Sequence, residues 1–485
     1  MIGQVAAPRI DLQPILPELA LAAAGIVGVL YEALARRPDR RVHLIVALAG
    51  VAGSAVALLS LWGWSGDPFV LAGSMAVDRL SVIAGLILMA VAAIGLIYGE
   101  QADEQGEPMK GEFFPLVVFA TLGMVLIAAA ADLIMVFLAL EILSLSLYVL
   151  TGITGRRGTN EAAMKYFLLG AFSSAFFLYG VAMAYGATDS TRIADVVSSL
   201  AGGGGALALA LAAFALLVIG FAFKVSAAPF HMWTPDVYQG APTAVTDFMS
   251  AATKVAAFAA LMRVLMVAFQ PLTWDWTPVI WALAAVSVVV GSVLAVAQTD
   301  IKRMLAYSSV AHAGFILTGL TAPGATGMSA ALFYLLVYAA MTIGAFGVVM
   351  LVRWGGQERT AIAAYAGLWR RRPALAVAMA VFLLSLAGIP PTAGFIAKVN
   401  VFAAATGAGH WALVVIGVLA SVVAAFFYLR VIVLMFMREP ESAEPMEPSR
   451  VVAAVVAVPA VLLLVLGVVP GIVTGLMDQA AVLRW

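Results

Sequence analysis

The chain has 485 residues, 64% hydrophobic and 11% charged, with 26 basic and 26 acidic residues and no cysteine. Soluble domains are about 45–50% apolar and about 25% charged, so the composition points to a membrane protein. The missing cysteines exclude iron–sulfur clusters, thiolate metal sites and disulfides within it, and a net charge of zero without a basic tail gives no nucleic-acid signature.

The apolar runs are about twenty residues long, which marks spanning helices rather than the ten-residue alternation of a barrel. The start, MIGQVAAPRIDLQP, has no basic n-region, so no cleaved signal peptide is expected. Fourteen spans are predicted from hydropathy: 16–34, 42–62, 77–98, 113–130, 133–152, 162–185, 206–238, 242–269, 279–298, 304–320, 326–352, 373–406, 411–437 and 451–474. With the N-terminus outside, one set of alternate loops carries 16 basic residues, among them Arg36, Arg37, Lys110, Lys302, Arg353 and Arg370. The other set and both termini carry 4, namely Arg9, Arg79, Arg192 and Arg484. The positive-inside rule then puts both termini on the outer side of the membrane. The acidic loops 100–112 and 438–450 read as solvated inner connectors, and Gly202–Gly205 as a flexible outer linker.

Two spans carry breaks. Span 206–238 runs through Lys224 into Ser226-Ala-Ala-Pro229 and then His231, Trp233 and Asp236; Pro229 lacks an N–H and disfavours helix before it. Span 373–406 is interrupted at AGIPPTAGF, with Lys398 just beyond. Spans four to eight and nine to thirteen thus form two five-helix sets, each with an interrupted fourth member. Five is odd, so the second set is inverted. Matched breaks in inverted halves indicate an ion path near the midplane. The expected fold is an all-α polytopic membrane protein of about 14 transmembrane helices with two inverted five-helix repeats, each with a discontinuous helix. Its segments are 1–112, 113–270, 278–437 and 438–485.

Four of the six lysines, Lys165, Lys224, Lys254 and Lys398, fall inside spans, against two of twenty arginines, Arg263 and Arg430, which are off-centre and placed to snorkel. Arginine stays protonated, whereas a desolvated lysine can release its proton in the working range. A central lysine costs about 2.5–3.5 kcal/mol to insert, so several such residues imply use. Glu141, in FLALEILSLSLYVL, is the lone acid at the centre of a span, and Lys224 is its expected partner. While that pair is tight the lysine stays charged; when Glu141 swings away the proton can move on. The predicted relay runs from Lys224 past Lys254 and His312 to Lys398.

Each residue has a structural alternative. Glu141 and Lys224 would form a fixed ion pair; Lys224 and Lys398 would bond carbonyls freed at the breaks; Lys254 would be a packing donor. Lys165, four residues after Glu161, would snorkel to the surface. His231 would cap or line a loop instead of admitting protons, and His312 would be a satisfied buried histidine. No dinucleotide or nucleotide motif is present, and the four histidines lack haem or metal spacing.

These stretches carry a resemblance. FLALEILSLSLYVL, AMKYFLLGAFSSAFFLYG, FKVSAAPFHMWTPDVYQGAPTAVTDFMSAATK, QTDIKRMLAYSSVAHAGFI and SLAGIPPTAGFIAK resemble the subunit N family of bacterial NADH-quinone oxidoreductase, respiratory complex I. The likeness spans about 113–437, and PFHMWTPDVYQGAP is specific to the antiporter-like superfamily that includes subunits L and M and the Mrp antiporters. Subunit N is favoured by the absence of a lateral C-terminal helix, by Lys398 where M has glutamate, and by the wording TDFMSAATK. The resemblance implies a proton-translocating, non-redox membrane-arm subunit of an NADH:quinone oxidoreductase translocase. The Glu141/Lys224 pair, Lys254, Lys398 and, with less weight, Lys165 would be its functional positions. It implies no cofactor on this chain, with NADH, flavin, Fe–S clusters and quinone in partner subunits. The expected neighbours are subunit M on one side and K, J and A on the other, in the bilayer of a bacterial inner membrane with both termini periplasmic. The alternatives are a subunit of an Mrp-type Na+/H+ antiporter and a non-pumping spacer of the arm.

Overall fold

The computed structural model describes residues 11–104, 109–203, 206–355, 357–440, 446 and 449–483. Arg9, Arg484, Gly204, Gly205 and parts of both acidic loops (105–108, 441–445 and 447–448) lie outside the described residues. The described chain is helical apart from two small hairpins, Phe69–Val70 with Met75–Ala76 and Arg353–Trp354 with Gln357–Glu358.

Three helices come first, α1 (Leu16–Leu34), α2 (Arg40–Ser60) and α3 (Arg79–Glu104), followed by α4 (Phe113–Ala129), α5 (Leu133–Thr151) and α6 (Arg157–Thr188). A short helix, α7 (Ile193–Ala201), precedes α8 (Leu207–Lys224), α9 (Trp233–Gly240) and α10 (Thr243–Arg263). The second half holds α11 (Thr273–Val296), α12 (Ile301–Leu320), α13 (Ala325–Leu351), the one-turn α14 (Leu368–Arg371), α15 (Pro373–Ala387), α16 (Ala393–Gly407) and α17 (Trp411–Met437). The chain closes with α18 (Arg450–Val468) and α19 (Gly471–Ala480). Among the described residues, 11 helical segments are long and apolar enough to cross a membrane, and α4, α15 and α16 are shorter apolar helices. The chain is therefore an all-α polytopic membrane protein.

Several helices start where sequence chemistry directs. Asp39, Asp132 and Asp300 each accept a backbone N–H at the start of α2, α5 and α12, filling donors that a helix start leaves open. The predicted single span 451–474 is a correction: α18 stops at Val468 and α19 starts at Gly471, because Pro470 cannot continue the ladder. Helix α7 went unforeseen; it is short and lies between two apolar runs.

α10 is buried along its whole length and α13 along nearly all of it. They pack on each other, and α10 also packs against α3 and α4. Outer helices present Ile26, Leu30, Val56, Val422 and Val461 outward, as a lipid-facing surface does. Polar groups on α10 consequently sit at the centre of the protein.

Candidate functional site

Both expected breaks are present. Between α8 and α9, residues 225–232 leave the α-helical path around Pro229; between α15 and α16, residues 388–392 do so around Pro390 and Pro391. Gly388 ends α15 with φ of +79°, a conformation that strains any residue with a Cβ. A Cβ there would also lie 2.7 Å from Cδ of Lys398.

Lys224, at the end of α8, is 3% exposed. Its Nζ donates to Ser144 Oγ at 2.7 Å, and Ser144 in turn donates to the Leu140 carbonyl. Glu141 accepts instead from Ser174 Oγ at 2.5 Å. The direct Glu141–Lys224 ion pair expected from sequence is thus absent. Glu141 and Ser144 are one turn apart on α5, and the serine takes the ammonium group while the lysine stays within electrostatic reach of the acid. The rings of Tyr148 and Tyr166 flank Lys224, with centroids at 5.6 and 5.9 Å.

Lys254 is fully buried on α10, and its Nζ donates to the Val225 carbonyl at 2.5 Å. The bond to a freed carbonyl, weighed for Lys224, is made by Lys254. At the second break Lys398 makes it within its own helix pair, to the Ala387 carbonyl at 2.8 Å. A helix C-terminus carries partial negative charge, so both acceptors suit an ammonium group without supplying a full counter-charge.

His312 lies between these two lysines. Its Nδ1 is 2.8 Å from Tyr334 Oη and its Nε2 is 3.4 Å from Tyr428 Oη. Its ring packs on Tyr338 and Phe315, at 5.4 and 5.9 Å. Lys254 Nζ stands 5.7 Å from the Tyr338 centroid, and Lys398 Nζ 4.6 Å from that of Phe315. The row Lys224, Lys254, His312, Lys398 is therefore contiguous through neighbouring groups, and the aromatic hydroxyls around His312 can accept and donate.

Two candidates stand apart. Lys165 is on the rim, 43% exposed, and bridges Glu161 and Asp236 at 2.9 Å each, with Arg303 on the other Asp236 oxygen at 2.6 Å. It snorkels into an ion cluster and does not join the buried row. His231 is half-buried in the first break, its ring 6.4 Å from Tyr307 and its Nδ1 without a partner.

The arginines correct the sequence reading. Arg263 does not snorkel: it is 2% exposed and grips Asp78 with two bonds, 2.7 and 3.0 Å. Arg430 turns onto the end of α11, donating to the carbonyl of its last residue, Val296, at 3.0 Å and to that of Gln298, two residues beyond, at 2.8 Å. Sequence reasoning also missed Ser144, Tyr334, Tyr338, Tyr428 and Asp247. Ser144 was signalled by its spacing of three from Glu141, and Tyr334 and Tyr338 by their spacing of four. Asp247 sits five residues from the predicted start of its span, outside the span centre where Glu141 stood out. Among the described residues, no group of three or more His, Asp or Glu is placed to hold a metal ion.

The family model "NADH:quinone oxidoreductase/Mrp antiporter, TM" matches residues 130–424. The fold also superimposes on a chain of the Mrp complex from Dietzia sp. DQ12-45-1b with a TM-score of 0.85, at 23% identity over 97% of this chain and 96% of that one. Shared fold and matched model define an antiporter-like membrane subunit. NADH-quinone oxidoreductase subunit N from Rhodococcus opacus is 46% identical, covering 99% of this chain and 97% of the relative. The subunit N of Mycobacterium tuberculosis is 44% identical, with 98% of each covered. A chain of respiratory complex I from Thermus thermophilus with bound aureothin gives a TM-score of 0.82 at 38% identity, covering 96% of this chain and all of that one. The chain belongs to the subunit N family of NADH:quinone oxidoreductase.

Proposed function

We propose that this chain is a proton-translocating, non-redox membrane-arm subunit of an NADH-quinone oxidoreductase, moving protons while other subunits pass electrons from NADH to quinone. The observation that carries this reading is the buried row Lys224, Lys254, His312 and Lys398. Its three ammonium groups rest on a serine hydroxyl and two main-chain carbonyls, with no carboxylate bonded to them. A cation held by neutral acceptors can lose its proton without stranding a bonded anion. Glu141, one turn from Ser144, biases the first member of the row and is itself held by Ser174. Moving one charge against 100 mV costs about 2.3 kcal/mol, and a shift of two pK units supplies about 2.7 kcal/mol, so electrostatic coupling is adequate in size.

The topology in this reading has 14 transmembrane helices, with segments 1–112, 113–270, 278–437 and 438–485, and the middle two are inverted repeats. The basic face is cytoplasmic, both termini are periplasmic, and the neighbours are subunit M on one side and K, J and A on the other. Lys165 and His231 lie at the cytoplasmic approach to the row. NADH, flavin, Fe–S clusters and quinone belong to partner subunits.

The test is NADH-driven proton uptake by inverted membrane vesicles carrying Lys254→Met or Lys224→Ala in the assembled complex. Pumping per NADH oxidised, or coupled turnover, should fall in both. Unchanged values in both would overturn the reading and leave a spacer role.

A further inference from the structure

Asp247 is fully buried on α10, and neither carboxylate oxygen has a hydrogen-bond partner. An unpaired buried carboxylate is far more costly than the neutral acid, and a structural role would have furnished donors. Its place on α10 is informative. Thr243, Asp247, Ser250 and Lys254 stand at i, i+4, i+7 and i+11, within about 60° of arc on a helix of 3.6 residues per turn. The file runs from Thr243, at the start of the helix, to Lys254, at the centre of the protein. Lys254 lies about 10 Å along the axis from Asp247, and α-helical side chains lean toward the helix start, so the lysine leans toward the acid. Ser250 stands between them, its hydroxyl on the Asp247 carbonyl at 2.9 Å.

The Thr243 end opens on a cleft. Thr243 Oγ1 donates to Glu358 Oε1 at 2.5 Å. Glu358 belongs to the hairpin 353–358 and lines an open cleft of about 660 Å3 with Arg156, Lys302, Arg353 and Gln239. Lys302 anchors the approach by donating to the Ala241 carbonyl at 2.7 Å. α13 borders the file and gives it depth. Its Tyr338 meets Lys254, while its Gly347 adjoins the hydroxyl of Tyr98, which is also unpartnered and within electrostatic reach of Asp247.

We propose that Asp247 is a proton-input residue: protons enter at the Glu358 cleft, pass Thr243, are held as the neutral carboxylic acid of Asp247, and load Lys254. Each transfer is of a proton alone. The transfer runs over the Ser250 hydroxyl that stands between the two groups: the Asp247 O–H bond breaks as the serine oxygen takes up that proton, the serine gives up its own proton to the neutral amine of Lys254, and the carboxylate is re-protonated from the cleft. This rests on the pumping role proposed above and adds the side from which the central lysine is loaded.

The experiment uses the complete complex in inverted vesicles, with assembly checked on native gels. Asp247→Asn should lower NADH-driven proton uptake toward the level of Lys254→Met, and Asp247→Glu should restore most of it. The infrared redox-difference spectrum of purified complex should contain a protonated-carboxyl C=O band that disappears in Asp247→Asn, a signal that a packing role would not produce. Thr243→Val and Glu358→Gln interrupt the file without touching Asp247 and should each slow uptake; they decide the matter if Asp247→Asn does not assemble. Wild-type uptake in Asp247→Asn, or in both Thr243→Val and Glu358→Gln, while Lys254→Met is impaired, overturns the input route and leaves the pumping role intact. Wild-type uptake in Lys254→Met and Lys224→Ala removes the pumping role itself.

Discussion

Arg263 and Lys254 lie nine residues apart on the same buried helix, yet they are held in opposite ways. Arg263 meets a carboxylate with two bonds and has a further contact at 3.3 Å to the Ala128 carbonyl. Lys254 meets one main-chain carbonyl and no anion. The first arrangement fixes a charge: guanidinium stays protonated and the fork matches the carboxylate. The second leaves a charge free to leave. The contrast separates cations that hold the fold from cations that the proposed relay would use, and it can be broken from either side.

The largest effect is expected at the locked pair. Arg263→Met strands Asp78, which is itself buried, and breaking a buried ion pair from one side costs about 3–5 kcal/mol. Native gels of solubilised membranes should show depleted complex, and the double variant Arg263→Met/Asp78→Leu should recover much of it. Full assembly of the single variant would erase the distinction drawn here.

At Lys254 the expected effect is on pumping rather than on assembly. Lys254→Arg keeps the positive charge and a donor for Val225, but an arginine does not release its proton. Vesicles should hold a normal amount of complex with proton uptake reduced as far as in Lys254→Met. Active Lys254→Arg would mean that a fixed charge suffices, and the lysine would then belong with Arg263.

This division was partly legible in sequence and partly not. The two breaks, the enrichment of lysine over arginine inside spans and the candidates Lys224, Lys254 and Lys398 could be read from hydropathy and proline placement. Partners could not. A serine three residues from Glu141 is a weak signal among the serines of SLSL, so the ammonium of Lys224 was assigned to the acid. Arg263 and Arg430 read as snorkelling because depth along a helix does not tell whether its end is covered. Asp78 closes over one, and the end of α11 receives the other. Asp247 was obscured for the same reason: α10 is enclosed along its full length, so an acid one turn from its start is as buried as one at its middle.

Ser144→Ala tests the first member of the row. It removes an acceptor from a buried ammonium group, and bonds to charged groups contribute about 1.5–3 kcal/mol. With the hydroxyl gone, the acid that α5 offers Lys224 is Glu141, one turn from position 144. The expected result is slower proton uptake with assembly kept, reversed by Ser144→Thr, which restores the hydroxyl. Unaltered uptake in Ser144→Ala would make the Lys224–Ser144 bond incidental.

The smallest effect belongs at the rim. Lys165 is shared between Glu161 and Asp236 and is 43% exposed. Exposed pairs contribute about 0–1 kcal/mol and weaken with salt, and Arg303 remains on Asp236 when the lysine is gone. Lys165→Ala should therefore assemble normally and pump close to wild type at high ionic strength, with at most a modest deficit at low salt where the cluster is least screened. Lys224→Ala should show a deficit that salt does not relieve, because its site is buried. A salt-independent loss in Lys165→Ala as deep as that of Lys224→Ala would place the rim lysine functionally inside the row, and exposure would no longer separate the cations that move protons from those that do not.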